Sequence, residues 1–328
     1  MNARRNIYGL LLALMVVGLV GLGWYLFAKA ARTGMQVVDE NNLLNAVQNG
    51  SVEDVQKILA YGAQIDGRGA DGEIPLTMAA QAGKVEMVRL LISKGAHVNG
   101  TTAAGVTALM QAAVQGKPEI VNLLLEHGAD AAPKDTAGGT AASYALNGGN
   151  ATVVRTLLEK TGQTDARDAQ GGTALMWAVR QGDSKMLETL MAKKADVNTK
   201  DLAGKNALIV ALETGHPALA KRILAQTKDV NIKGQNGATV LMWAVARGDT
   251  ALVKALLDRG ATVDTTDFSG DTALIGAAKE GKDAIVALLL AHGVDVSATD
   301  YQGMTALKWA IERRHAEIAQ LLRQAGAK

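Results

Sequence analysis

One spacing governs most of this sequence. Thr107, Thr140, Thr173, Thr239, Thr272 and Thr305 stand 33 residues apart or at twice that interval, and Ile74 and Asn206 complete the ladder. Numbering each repeat from these eight anchor positions exposes further columns. Glycine stands two residues before every anchor, from Gly72 to Gly303, and alanine five residues after every one, from Ala79 to Ala310. Glycine stands nine after seven of the eight, with Arg314 the exception. A partial copy precedes them, with Leu43, Ala46, Gly50, Val55, Leu59 and Gly62 in step. A chain with such a period folds as stacked copies of one small unit, because no unit can bury its apolar face alone.

Each column has a physical reason. The glycine before the anchor suits a tight turn with positive φ. The anchor Thr opens a helix, where its hydroxyl caps a free amide. The alanine lets two helices approach closely, and the glycine at +9 closes the first helix as a left-handed cap. A second helix follows with apolar residues at helical spacing, as in Ile120, Val121, Leu123, Leu124 and Leu125. The unit is therefore turn, short helix, turn, helix. Composition agrees: Gly is 36 against Pro 4, and aromatics are only 3%, so the core is built from small and aliphatic residues. That argues against a large β-sandwich.

These units resemble ankyrin repeats, whose period is 33 and whose signature is T-P-L-H-x-A. The chain carries TALMQA (107–112), TALMWA (173–178), TVLMWA (239–244), TALIGA (272–277) and TALKWA (305–310), with GAHVN (95–99), KADVN (194–198) and GVDVS (293–297) at unit ends. The resemblance covers residues 41–328 and implies an all-α solenoid of helix pairs with short β-turn tips. It consists of an N-terminal partial cap repeat and eight full repeats. It departs from the pattern in places. Pro75 is the one proline after an anchor, and the usual His is Met110, Met176, Met242, Ile209 or Ile275. The family's Thr–His link is thus absent, and packing is expected to substitute. Ala142 stands where Leu is usual, and Thr161, Lys194 and Thr227 replace the end glycine in three consecutive units. A non-Gly residue in a left-handed cap costs about 1 kcal/mol, so 140–230 is expected to be the least stable stretch. Polar residues mark both ends: Asn41, Asn42, Gln48 and Asn49 at one, Arg313, Arg314, His315, Gln320, Arg323 and Gln324 at the other. Such residues suit terminal caps, so a complete array is expected.

The segment before the repeats is of another kind. Residues 7–27 read IYGLLLALMVVGLVGLGWYLF without a charge, long enough as a helix to cross a hydrocarbon core of roughly 30 Å. Arg4 and Arg5 precede it and Trp24 and Tyr25 close it, which predicts a transmembrane signal anchor with a cytoplasmic N-terminus at 1–6 and a linker at 28–40. The repeats would then be extracytoplasmic, facing the periplasm from the inner membrane. The alternative is a soluble periplasmic protein released at the small-x-small site Ala28-Lys29-Ala30. The glycines of this segment read as ordinary membrane-helix content, with a helix-dimer face as the second reading. Residues 1–38 hold four bases and no acid, leaving 30 bases against 32 acids in the rest. A body so near neutrality argues against nucleic acid.

No chemistry is written into the repeats. Cys is 0, which excludes disulfides, thiolate catalysis and cysteine metal sites. His216 and His315 share one repeat column and His127 and His292 another, so these histidines read as structural rather than as metal or catalytic groups; His97 is read the same way. Asp135, Asp168, Asp201, Asp267 and Asp300 form a column five before the anchor and are expected to satisfy turn amides. Trp177, Trp243 and Trp309, at +4, are expected to fill the core. The chain reads as non-enzymatic, with no cofactor, no metal and no small-molecule substrate. The resemblance implies a protein-interaction scaffold that binds a partner along the concave face. The weaker implication is an accessory or inhibitor of an enzyme, such as one in stress defence including catalase function. Such arrays bind through turn tips and the exposed side of the first helix. At the tips, Leu202, Gln235, Phe268 and Tyr301 follow small residues in the earlier repeats, and Arg180, Arg247, Lys279 and Arg313 stand beside them. The partner is therefore expected on the C-terminal half.

Overall fold

The computed structural model describes residues 42–234 and 236–328. They form eighteen helices, with isolated β-bridges but no strands among them. The described residues divide into two compact units, one ending at Val153 and the other beginning at Val154. No helix among the described residues is long and apolar enough to cross a membrane. The predicted anchor at 7–27 and linker at 28–40 lie outside the described residues, as do Asn41 and Gln235.

The first unit contains α1 (residues 42–49), α2 (Val52–Ala60), α3 (Pro75–Gln81), α4 (Val85–Ser93), α5 (Ala108–Val114), α6 (Pro118–Glu126), α7 (Ala141–Gly148) and the start of α8 (Ala151–Thr161). Within it α3 packs on α4 and α5, and α5 on α6 and α7. The second unit contains the rest of α8, then α9 (Ala174–Arg180), α10 (Ser184–Ala192), α11 (Ala207–Glu213), α12 (Pro217–Leu224), α13 (Val240–Arg247), α14 (Thr250–Asp258), α15 (Ala273–Lys279), α16 (Asp283–Ala291), α17 (Ala306–Glu312) and α18 (Ala316–Gln324). Here each first helix packs on its own second helix and on the first helix of the next repeat, as α13 does on α14 and α15. The alanine column explains that approach, since every one of Ala79, Ala112, Ala145, Ala178, Ala211, Ala244, Ala277 and Ala310 is 0% exposed.

The anchors cap as expected. Thr107, Thr140, Thr173, Thr239, Thr272 and Thr305 each accept a hydrogen bond from the amide three residues on, and Asn206 does so through Oδ1 at 3.0 Å from Ile209 N. Ile74 lacks a side-chain cap; there Pro75 removes one donor, and the Thr77 hydroxyl donates to Ile74 O at 2.7 Å. Sulfur takes part where packing alone was expected. Met110 Sδ accepts from Thr107 N at 3.5 Å and Met242 Sδ from Thr239 N at 3.4 Å, a weak substitute for a side-chain acceptor.

The expectation for the three replaced end glycines needs correcting. Lys194 does adopt the left-handed conformation at φ 62. Thr161 does not: α8 runs through it, and Gly162, one residue later, takes φ 68. At Thr227 the chain leaves α12 without a left-handed residue, and the buried hydroxyl bonds Ile223 O at 2.9 Å. Arg259 donates to Leu224 O and Thr227 O, covering carbonyls that the helix end leaves free. Two of the three sites thus avoid the strain that would have weakened this stretch. Arg314, the exception in the +9 column, joins Lys194 as a non-Gly residue at positive φ among the described residues, at 62.

A rung between repeats was not read from the sequence. Asn198 Oδ1 accepts from Lys228 N at 2.9 Å, Asn231 Oδ1 from Thr262 N at 2.8 Å, and Asp264 Oδ1 from Asp295 N at 2.9 Å. In the first unit Asp66 and Asn99 hold His97 and Asp130 in the same way.

Candidate functional site

The turns before the first helices are built from one motif. In the second unit Asp168, Asp201, Asp267 and Asp300 each turn Oδ1 onto two backbone amides, two and four residues ahead, at 2.7–3.0 Å. Each turn closes with a bond from the glycine amide to the carbonyl at −5, as in Gly303 N to Asp300 O at 2.9 Å. The Asp column therefore serves turn amides, as the sequence indicated.

Consecutive tips are joined. Leu202 N donates to Gln170 O at 2.9 Å, Phe268 N to Asn236 O at 3.0 Å and Tyr301 N to Ser269 O at 3.2 Å. This bond lays each −4 residue against the preceding tip. A Cβ added at Gly270, which has φ 81, would lie 2.7 Å from Tyr301 N and 2.9 Å from its ring, so only glycine accommodates both the turn and the neighbour. The same contact sets the Phe268 ring over Gly237 and the Leu202 side chain over Gly171. One edge of each apolar side chain rests on a tip, yet most of it faces outward. Leu202 is 82%, Phe268 73% and Tyr301 78% exposed. With Tyr61 and Ile311 they are the exposed large apolar residues among the described ones.

Of the four predicted basic residues, Arg180 and Lys279 brace the turns. Arg180 reaches Asp168 at 3.3 Å and Asp201 of the next turn at 3.8 Å. Lys279 likewise bonds Asp271 at 2.7 Å and reaches Asp300 of the next turn at 3.4 Å. Arg247 donates to Glu213 O at 2.5 Å. Arg313 lies over the Trp309 ring, its guanidinium carbon 5.5 Å from the centroid. Arg180 and Lys279 thus tie consecutive turns together, Arg247 covers a helix-end carbonyl, and Arg313 packs on an aromatic ring.

The +4 aromatics also do more than fill the core. Trp309 is buried, donates its indole N–H to Asp300 Oδ2 at 2.7 Å, and carries Lys279 Nζ 4.4 Å from its ring centroid. Burial opposes ionisation of Asp300, but hydrogen bonds from Met304 N, Trp309 and Gln302 N outweigh it and hold the carboxyl below its ordinary value. In the first unit Tyr144 makes the same link to Asp135 at 2.6 Å. Burial and that bond push the Tyr144 hydroxyl up to about 12. Trp243 differs, since its indole N–H is buried with no acceptor among the described residues. The residue five before its anchor is Gly234, so the carboxylate is missing.

Three of the five histidines serve the backbone. His127 and His292 place Nδ1 2.8 Å from the carbonyl four residues back, and His315 Nε2 lies 3.3 Å from Lys279 O. Among the described residues no group of three or more His, Asp or Glu could hold a metal ion.

A family model of ankyrin repeats, three copies long, matches residues 43–135, 131–201, 198–267 and 241–328. The chain belongs to the ankyrin-repeat family. No curated protein matches the sequence significantly. Ankyrin repeats generally mediate protein–protein interaction, and ankyrin-repeat proteins are typically non-enzymatic scaffolds. In the second unit of this ankyrin array, Leu202, Phe268 and Tyr301 stand exposed at the tips.

Proposed function

We propose that this ankyrin-repeat protein is an interaction scaffold whose partner protein docks on the tips of the second unit, at Leu202, Phe268 and Tyr301. The observation that carries the reading is the outward exposure of three large apolar side chains in one repeat column. An isolated exposed leucine needs no explanation, but a row held in register by backbone bonds does. Aromatic side chains are common anchors of protein interfaces, and the neighbouring Arg180, Arg247, Lys279 and Arg313 add selectivity. Gln235 belongs to the same column and to the same proposal.

The scaffold is proposed to be held at the inner membrane by residues 7–27 with its repeats in the periplasm. The uncharged 21-residue segment after Arg4 and Arg5 supports this. A reporter fused after Lys328 tests the topology; cytoplasmic reporter activity contradicts it, and a mature N-terminus at Ala31 shows cleavage instead. The docking site is tested by capture from membrane extract. Phe268→Ala and Tyr301→Ala are each expected to weaken the captured complex by about 1–3 kcal/mol, while Ala70 and Ala103 substitutions leave it unchanged. Equal capture by both tip variants would contradict the proposal.

A further inference from the structure

One turn aspartate of the second unit, Asp267, lacks the side-chain brace that Asp201 and Asp300 receive. Asp201 is met by Arg180, and Asp300 by Lys279 and Trp309. Asp267 is met by neither kind of group. The position matching Arg180 and Lys279 is Ala246, and the position matching Trp309 is Gly276. Asp267 spends Oδ1 on Ser269 N and Asp271 N, and its Oδ2 has no partner among the described residues. In place of the ring and the ammonium there is a cavity of about 200 Å³, lined by Trp243, Met242, Ala246, Asp267, Gly276 and Glu280 among others.

Three features make this more than a packing gap. Gly276 sits inside α15, and a Cβ added there would meet nothing within 4 Å. A helix-interior glycine weakens a helix relative to alanine, and here no crowding requires it. Trp243, on the facing helix, is not tied to a turn carboxylate as Trp309 is. Finally, Glu280 stands where Arg313 stands in the next repeat, so the charge of the notch is reversed. Among the described residues Glu280 has a distant cation, Lys282 at 4.0 Å, while Asp271 is neutralised by Lys279.

We propose that this notch receives an arginine side chain of the partner protein. The Trp309 copy shows what such a notch holds when it is filled: a flat group donating to the turn aspartate, with positive charge against an indole. A guanidinium combines both in one group. It is planar, donates in a fixed fork to carboxylates, and stacks on tryptophan. Asp267 Oδ2 and Glu280 would accept from it, and Trp243 and Met242 would wall its face and stem. The notch adjoins Phe268, so the inference deepens the docking proposal by naming a contact the partner must supply.

The test uses the full chain with its tryptophan indole nitrogens labelled, titrated with the capped peptide acetyl-Gly-Arg-Gly-amide and its Lys and citrulline counterparts. The expected result is a saturable shift of the Trp243 indole signal, with the arginine peptide binding at least about five-fold more tightly than either counterpart. Glu280→Gln and Asp267→Asn should each weaken it by a similar factor. Gly276→Trp, which fills the notch with the missing ring, should abolish the response. Ala246→Lys, which supplies the missing cation from an exposed helix position, should also abolish it, and keeps the test valid should the larger substitution not fold. Equal binding of the lysine peptide, a response that survives Ala246→Lys, or a shift at Trp309 in place of Trp243 would overturn the inference. Tighter binding of free arginine than of the capped peptide would also overturn it, by assigning a small molecule to the notch. Because the probe is not the partner, failure here would leave the dependence of capture on Phe268 and Tyr301 as a separate result.

Discussion

The turns leading into Trp309 and into Trp243 begin from the same backbone and end in different chemistry. Both close with a bond from the −2 glycine amide to the −5 carbonyl, at 2.9 and 3.0 Å. Both lead into a helix capped by Thr. At the first, Asp300 receives two turn amides, the indole N–H and the Lys279 ammonium. At the second, Gly234 leaves the indole N–H without an acceptor among the described residues, and Asn236 Oδ1 takes a turn amide from Ala238 N at 3.2 Å. The repeat frame therefore tolerates loss of the whole polar network at one copy. The frame rests on buried alanines, helix caps and turns; the network is an addition that individual repeats keep, vary or abandon, and abandonment opens space.

If that division is right, disturbing the frame should cost far more than disturbing the network. Ala244→Asp and Ala310→Asp place an unpaired carboxylate at positions that are 0% exposed. Each should destabilise by more than about 3 kcal/mol and unfold neighbouring repeats together, read as a collapse of the urea midpoint. A midpoint unchanged in either would show that the register is wrong.

Removing the network where it is complete comes next. Asp300→Ala removes the turn acceptor, the indole acceptor and a cation partner, and should cost about 2–4 kcal/mol. Asp267→Ala removes only the turn acceptor and should cost about 1 kcal/mol. Similar losses in denaturant titrations would erase the distinction between the two turns.

A pH series sharpens the same contrast. The depressed carboxyls of Asp135 and Asp300 make native contributions that are complete above the unfolded value of about 3.9 and are lost as pH falls through their lower native values. The urea midpoint should therefore drop between about pH 5 and pH 2, and Asp300→Asn should flatten part of that drop. A steeper drop in the variant would contradict the assignment.

Much of the frame could be read from the columns. The anchor Thr caps, the Asp turns, the buried alanines and the left-handed glycines all lie within one repeat, where spacing alone places a residue on a turn or a helix face. Contacts between repeats were less legible. Arg180 and Lys279 looked like free surface charge, because nothing in one repeat shows that each reaches the aspartate of the next. Trp309 read as simple core filler for a different reason: its partner carboxylate belongs to the same repeat but stands nine residues away across a turn. The signal that could have found these links is the pairing of columns: Asp at −5 with an aromatic at +4, or with a base at +7 one repeat earlier. Thr161 was misplaced because Gly162, one residue out of register, supplies the positive φ.

The smallest effect expected is also the most direct test of the account. Gly234 has no positive φ, and a Cβ there would make ordinary contacts, the nearest being Asn236 Oδ1 at 3.6 Å. Gly234→Asp should therefore restore the missing turn acceptor and give the Trp243 indole a partner, raising stability by about 1 kcal/mol. The decisive measurement is the double-mutant cycle of Gly234→Asp with Trp243→Phe, followed by urea unfolding. The account predicts that most of the gain disappears when the indole is absent, a coupling of about 0.5–1.5 kcal/mol. A gain of the same size with and without the indole would show that Trp243 lacks nothing, and would contradict the claim that this copy differs from Trp309 by a missing partner.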